Sequence, residues 1–472
     1  MSRREFRRPL DILTVLGIID SNSRNELGFP SFLPGAGFTV PSILKSTICI
    51  CLALLLFVVP AVAEMDPDFV PEPDPVLTAI HIEGNENTDT VLVKRVMGLE
   101  IGQTLSLDQN DDAWDALEDC GYFRFVEIDY DDSADGEVVL NVIVEEDLTT
   151  FYGPVVRYSR RHKYMLGAWV EQRNLRGRGE TVRAEFSALY IQNGLLSWHR
   201  PWLFGVDGLE GKFTATGEQA DFVFRPTRYS KWDMDWEMKW DFAGPFFVLG
   251  GADYGYFRQR DSYNFTLPVR ETEPPAGKVH YEAGDEYHWI FRGAVGLDSR
   301  NNPYYPRRGI FVQGMARGWS STEFESYLET SADARVFIPV PIRKHVLALR
   351  AWGRQTDGAT NIDNALFFGG PETVRGYPYA QREGEEGYLL SAEYRMPLFL
   401  MPISPRGEII GAGFHLFTDA GDAWYHGAEA GRSMFSYGAG FHLNIDTLQL
   451  RFEAARTREG DWMFEFMDKF NF

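Results

Sequence analysis

The final run of the chain, Asp461-Trp462-Met463-Phe464-Glu465-Phe466-Met467-Asp468-Lys469-Phe470-Asn471-Phe472, alternates with a period of two. Trp462, Phe464, Phe466, Phe470 and Phe472 share one face with Asp468, and Met463, Glu465, Met467, Lys469 and Asn471 share the other. Successive side chains of a strand point to opposite sides, so this is a strand with an aromatic face and a mixed polar face. A β-sandwich core would alternate too, but a soluble protein has no reason to turn an aromatic face outward, whereas a barrel in lipid does.

The same pattern repeats upstream. Leu448, Leu450 and Phe452 alternate with Gln449, Arg451 and Glu453. Back to residue 149 the chain divides into sixteen such segments separated by turn residues. They begin at Phe151, Lys163, Glu180, Asn193, Leu209, Tyr229, Pro245, Tyr287, Gly309, Tyr327, His345, Gly387, Ile409, Phe435, Leu448 and Asp461. An even count lets the last strand meet the first antiparallel, and the expected fold over 149–472 is an all-β transmembrane barrel of sixteen antiparallel strands. Loop lengths agree. If the first strand rises from the periplasm, the short connections such as Asn174–Gly179 and Ala243-Gly244 are periplasmic, and the long ones, Ser262–Glu286 and Asp357–Glu386, lie outside.

Composition narrows the function classes. A formal charge of −22 excludes a phosphate-binding basic surface and makes nucleic acid an unsuitable partner. Of three Cys, Cys49 and Cys51 sit in an apolar leader, so Cys120 alone remains and neither a disulfide framework nor a Cys metal site is expected. Ile48–Val59, preceded by Lys45 and followed by Pro60-Ala61-Val62-Ala63, has the form of a secretory signal peptide. Residues 1–63 therefore read as a leader with its signal peptide at about 40–63, and 64–75 as a Pro- and acid-rich linker.

Residues 76–148 read differently. Val76–Asn85 alternates as a strand, and a helix is expected over Thr88–Met97 with Val91, Val93 and Val96 available to pack. A second helix starts near Ser106, turns Leu107, Trp114 and Leu117 inward and ends at Gly121. Val126, Ile128 and Tyr130, then Val138, Leu140, Val142 and Val144, mark two further strands. The order is βααββ, a small α+β domain.

That order, with the phrases IHIEGNENTD from Ile80, ALEDCGYFRFVEI from Ala116 and VLNVIVEED from Val139, resembles a POTRA domain, the periplasmic module of the BamA and TamA superfamily. The barrel segment is similar to the same superfamily. Phe368-Gly369-Gly370-Pro371-Glu372-Thr373-Val374-Arg375-Gly376-Tyr377 resembles its VRGY loop and lies between the eleventh and twelfth strands. Further matches are NLRGRGE from Asn174, DSRNNPYYPRRG from Asp298, LLSAEYRMPLF from Leu389, FTDAGDAW from Phe417 and the terminal Phe472. There is room for one POTRA domain, where the founding insertase has five.

The resemblance implies an outer-membrane protein that inserts or exports polypeptides, or moves lipid; the alternatives are a two-partner-type secretion pore, a lipid transporter, or a passive structural barrel or porin. Its partners would be outer-membrane lipid, unfolded client polypeptides received at the POTRA sheet edge and at a lateral seam, and periplasmic accessory proteins. The loop Val374-Arg375-Gly376-Tyr377 would enter the barrel, where alternation sets Glu393 beside Ser391 and Arg395, and Asp419 beside His415 and Phe417, as partners for Arg375. The seam would involve Phe151, Gly153, Pro154, Phe470 and Phe472, because Pro154 cannot donate to a ladder. No catalytic motif, cofactor motif or metal motif is evident; His280 and His288 flank acids in the expected outer loop and read as solvated loop residues, with a metal site as the alternative.

Overall fold

The computed structural model describes residues 74–467 apart from positions 133–135, 160–162, 190, 222–227, 261–262, 265–279, 282–283, 304, 324, 343, 359–363, 403–408, 427–430 and 447. The leader, the linker as far as position 73, and Asp468, Phe470 and Phe472 of the expected terminal signal lie outside the described residues.

The chain opens with β1 (Val76–Glu83), α1 (Thr90–Met97), α2 (Leu107–Asp119), β2 (Phe123–Asp132) and β3 (Glu137–Glu146). β3 is central, parallel to β1 and antiparallel to β2, which leaves β1 and β2 as the sheet edges. Local chemistry sets the helix ends. The Asp89 side chain accepts the Val91 N–H at the start of α1, and Ser106 and Gln109 form a reciprocal capping box at the start of α2. Alternate residues Val138, Leu140, Val142 and Val144 of β3 are all buried against Leu77, Val93, Met97, Ala113 and Leu117. Two expected packing residues turn out otherwise. In an eight-residue helix starting at Thr90, Leu92, Val93 and Met97 share the inner face, and Val91, one step around, is 61% exposed. Trp114 sits at the rim of α2, where its Nε1 donates to the Val126 carbonyl; Ala113 and Leu117 fill the core. Tyr130, at the far end of β2, is half exposed, and the side chain of Leu107 lies outside those described.

Sixteen strands then form one sheet. They are β4 (Thr150–Ser159), β5 (Lys163–Leu175), β6 (Glu180–Leu189), β7 (Ile191–Arg200), β8 (Leu209–Asp221), β9 (Arg228–Ala243), β10 (Phe246–Gln259), β13 (Gly284–Asp298), β14 (Gly309–Ser321), β15 (Tyr327–Pro339), β16 (Val346–Thr356), β19 (Glu386–Pro402), β20 (Ile409–Trp424), β21 (Met434–Asp446), β22 (Leu448–Thr457) and β23 (Trp462–Met467). Two-stranded hairpins occupy the long connections: β11 (Tyr263–Asn264) with β12 (His280–Tyr281), and β17 (Leu366–Phe368) with β18 (Arg382–Gly384). Each strand pairs antiparallel with its neighbour in order from β4 to β23. Strand starts differ from expectation by three residues at most. The largest shift is β13, which begins at Gly284 rather than Tyr287, because the polar residues Asp285 and Glu286 already pair with Arg258 and Phe257. Alternation of polarity has no contrast to show where both faces are polar.

The two faces separate cleanly. On β9, Met234, Trp236, Met238, Trp240 and Phe242 are exposed on the outer face, and Asp233, Asp235, Glu237 and Lys239 turn inward to the lumen. No helix among the described residues is long and apolar enough to cross a membrane.

The small domain meets the barrel at the β5–β6 turn, the NLRGRGE phrase. Asn174 Nδ2 donates to Thr88 Oγ1 (2.8 Å), the Asp89 N–H donates to the Gly177 carbonyl (3.0 Å) and the Tyr122 hydroxyl donates to the Gly179 carbonyl (3.2 Å). Arg95 pairs with Asp207 of the β7–β8 connection (3.4 Å). Both connections have the parity of the short ones, so the long connections leave the opposite end of the barrel. Glu146 organises the docking loop from below: its carboxylate accepts the N–H groups of Asn87 (2.9 Å) and Thr88 (2.6 Å) and the Asn87 amide (2.7 Å). Partial burial works against its ionisation, but the bonds from Thr88 and Asn87 prevail and hold the carboxyl below its ordinary value of 4.5. A lowered native pKa gives an ordering contribution that is complete above 4.5 and is lost as pH falls through the native value. Hydrogen exchange over residues 85–90 should therefore stay slow from neutral pH to 4.5 and accelerate, beyond its intrinsic pH dependence, only on further acidification. Glu146→Ala should remove this protection at neutral pH; equal exchange in both proteins would contradict the assignment.

Candidate functional site

The site lies where the β16–β19 connection turns back into the barrel. The β17–β18 hairpin carries the segment 369–381 inward, and Val374, Arg375, Gly376 and Tyr377 are all buried there. Val374 and Tyr377 pack with Phe368, Leu389, Ala423 and Met434, a small apolar core that seats the loop. Gly376 adopts φ +86°, and a Cβ at that position would lie 2.8 Å from the Ala455 Cβ, so both its conformation and its closeness to the wall call for glycine. Its N–H donates to Glu465 Oε2 (3.0 Å). The Tyr377 hydroxyl donates to Glu459 Oε2 (2.8 Å) and accepts the Phe435 N–H (3.2 Å).

Arg375 is fully buried, and each of its five guanidinium N–H groups finds an acceptor. Nε and Nη2 grip Asp419 at both oxygens (2.6 and 2.8 Å). Nη1 reaches Glu393 Oε2 (2.9 Å) and Glu453 Oε1 (3.1 Å), and Nη2 also reaches Ser391 Oγ (3.3 Å). The Arg375 backbone N–H adds a bond to Asp419 Oδ2 (3.2 Å), and the guanidinium carbon lies 3.7 Å from the centre of the Phe417 ring. A planar fork held at both edges and stacked on an aromatic face is an arrangement Lys cannot copy.

Strand register assembles the acceptors. One rung of the sheet runs Arg395, His415, Gly440, Glu453 and Glu465 across β19 to β23, and another brings Ser391 opposite Asp419. Glu393 also accepts from Arg395 Nε (2.8 Å) and pairs with Arg451, and Glu453 receives Arg451 Nη2 (2.8 Å) and His415 Nε2 (2.9 Å). Glu393, His415 and Glu453 present ligand atoms within 4.8 Å of one another, but Arg375, Arg395 and Arg451 already supply the positive charge there, so a cation has no vacancy to fill. From the other end of the barrel the DSRNNPYYPRRG connection sends in Tyr305, 3.3 Å from His442 Nε2, with the Arg395 guanidinium over its ring.

Arg375 thus meets Glu393 and Asp419, the two carboxylates named from the sequence. Glu453, Ser391 and Glu465 are additional partners of the loop. Ser391 shares the inward face of β19 with Glu393; the signal of Glu453 and Glu465 was present as polar residues alternating with aromatic ones in β22 and β23, but which of them reach the loop depends on register across five strands. Of the residues expected at a seam, Phe151, Gly153 and Pro154 lie on β4, with Pro154 opposite Ala168 of β5; Phe470 and Phe472 lie outside the described residues.

A sixteen-stranded sheet with an outer apolar face, a charge-filled lumen and a βααββ domain docked at the end with short turns defines an outer-membrane barrel protein with one POTRA domain. The chain matches the Omp85 superfamily domain over residues 174–466, more than half its length, and a POTRA domain of the surface antigen variable number repeat type over residues 75–147. It belongs to the Omp85 superfamily. No curated protein matches it in sequence. Among solved structures it is similar to BamA from Haemophilus ducreyi lacking POTRA domains 1–3, at 16% identity and TM-score 0.63, covering 83% of this chain and 84% of that one. It is also similar to CdiB from Acinetobacter baumannii (12% identity, TM-score 0.53, 83% and 73% covered) and to CdiB from Escherichia coli (10% identity, TM-score 0.51, 92% and 98% covered). Identities this low establish a common fold.

Removing Arg375 would leave Asp419, Glu393 and Glu453 with less compensation in a closed space, a change that costs about 3–5 kcal/mol when a buried pair loses one partner. In urea unfolding of the micelle-embedded barrel, Arg375→Ala should lose stability of that order, and Arg375→Lys, which keeps the charge but not the fork, should lose less. Unaltered unfolding in Arg375→Ala would show that the cluster does not need its cation.

Proposed function

We propose that this protein acts on other polypeptides at the outer membrane as an assembly or translocation factor, receiving client strands at the POTRA sheet edge and at a lateral seam between β4 and β23. The observation that carries the reading is the closing pair. Every other pair of neighbouring strands in the sheet is joined by an antiparallel ladder, whereas among the described residues none joins β4 to β23. Pro154 also removes one donor from β4. Strand edges with unmet backbone groups are templates for another strand, whose bonds can substitute for the missing ones without demanding a sequence. β2, an edge strand of the POTRA sheet with Phe125 and Tyr130 half exposed, offers the same chemistry on the periplasmic side. In this reading Val374, Arg375, Gly376 and Tyr377 plug the lumen and brace the last strands, with Glu393 and Asp419 as their anchors, while Phe151, Gly153, Pro154, Phe470 and Phe472 flank the seam. Outer-membrane lipid surrounds the aromatic face, and periplasmic accessory proteins would meet the POTRA domain.

The alternative, a two-partner-type secretion pore or a lipid transporter, uses the same barrel but requires the loop to leave the lumen. The fold likeness to the CdiB structures keeps that reading open. The match to the Omp85 superfamily domain over residues 174–466 weighs against a passive porin.

Cys pairs placed across β4 and β23 in a Cys120→Ser background separate the readings. Oxidation should slow insertion of a client barrel into proteoliposomes at least about tenfold, and reduction should restore it, since a locked ladder has no edge to offer. Pairs across β8 and β9 should have no effect. Client handling at an unchanged rate in the locked protein would contradict the gate and favour the pore.

A further inference from the structure

We propose that Asp233, Asp253 and His288 form a binding site for one divalent transition-metal ion of the zinc class on the luminal wall of β9, β10 and β13.

The residues come together through register. Gly255 of β10 stands directly opposite Asp233 of β9 on one side and opposite His288 of β13 on the other. A Cβ at Gly255 would lie 2.4 Å from both Asp233 Oδ1 and His288 Nε2, so the glycine leaves the room in which the two flanking side chains converge. Asp253, two residues back on the same strand and the same face, closes the third side. The Trp319 ring stacks on the imidazole at 4.4 Å between centroids and fixes its plane. His288, expected near a solvated outer loop, is thus a strand residue with only 2% of its surface exposed.

Distances favour a shared ion over direct pairing. Nε2 lies 3.3 Å from Asp233 Oδ1 and 3.5 Å from Asp253 Oδ1, and the three ligand atoms all fall within 4.8 Å of one another. Charge-assisted N–H···O bonds close to about 2.7–2.9 Å, as they do at Arg292 with Asp235 (2.6 and 2.8 Å) one rung away. Bonds of about 2.0–2.1 Å to a tetrahedral ion instead set its ligands about 3.3–3.4 Å apart, close to the spacing of Nε2 from each of the two carboxylate oxygens. Asp253, 8% exposed, aims Oδ1 into the cluster with no hydrogen-bond partner among the described residues, and His288 Nδ1 likewise has none.

Charge points the same way. Arg292 offsets one of the two charges of the neighbouring inward carboxylates Asp235 and Glu237, which are also about a quarter exposed, whereas the described structure sets no Arg or Lys in an ion pair with the more buried Asp253 or with Asp233. A protonated His288 would leave one negative charge over in a poorly solvated wall, whereas a dication with neutral imidazole balances both carboxylates. One imidazole and two carboxylates suit zinc and its neighbours better than magnesium or calcium, which prefer all-oxygen sites. The ion would tie three consecutive strands together on the side of the barrel away from the Arg375 cluster.

The test uses full-length protein without a polyhistidine tag, stripped with chelator and kept in micelles. Titration calorimetry with Zn2+ should show one ion per chain, and Co2+ should give the visible absorption of a low-coordinate site. His288→Gln, which removes a ligand, and Gly255→Ala, which keeps all three and fills the space between them, should each weaken binding about 100-fold or more while heat-modifiable mobility is kept. If His288→Gln does not fold, Asp253→Asn decides in its place. Failure of the wild-type protein to bind Zn2+ saturably below about 1 mM, a concentration at which affinity is worth only about 4 kcal/mol, would overturn the proposal. So would equal affinity in the variants.

Discussion

The grip of Asp419, Glu393 and Glu453 on Arg375 is the constraint that orders the rest of the barrel's second half. A guanidinium taken wholly out of water is tolerated only if its donors and its charge are both met, and here five donors find five acceptors drawn from three strands. Those strands, β19, β20 and β22, must then keep one register, because a slip of a single residue would turn Asp419 or Glu453 outward to lipid. Apolar replacement of a whole buried ion cluster is often neutral or even stabilising in other proteins. The cluster is therefore better understood as choosing one position for the loop than as a source of net stability.

Once the loop is placed, further features follow from it. Gly376 must be glycine because the chain passes within contact distance of Ala455, and its N–H then falls on Glu465 of the last strand. Tyr377 reaches Glu459 in the turn that precedes β23. The loop thus braces both the wall it leaves and β23. Release of the loop and loosening of β23 become linked events, since each withdraws hydrogen bonds from the other.

Much of this was legible in the sequence, and the reasons differ by element. The barrel strands were found because one face meets lipid and the other water, a contrast that repeats every second residue in β9 and β22. Where the contrast fails, as at Asp285 and Glu286, the strand was begun too late. Val91 and Trp114 in the POTRA domain were set inward because hydrophobicity alone cannot fix the rotation of an eight- or thirteen-residue helix; the caps at Asp89 and Ser106 do that. Glu393 and Asp419 could be named because their strands adjoin the loop in sequence. Glu453 and Glu465 could not, since they lie about ninety residues or less downstream and arrive through pairing of β20 to β23. His288 was misplaced for a related reason: its partners lie on two other strands and are invisible along the chain.

The account depends on a long outer connection being held inside the lumen by Arg375. Thiol labelling in intact membranes tests this most directly, with Glu372→Cys and Val374→Cys compared in a Cys120→Ser background. Glu372 is exposed and Val374 fully buried, two residues apart on the same loop. The account predicts rapid labelling at 372, none at 374, and labelling at both once Arg375 is replaced by Ala. Rapid labelling at 374 with Arg375 intact would contradict it.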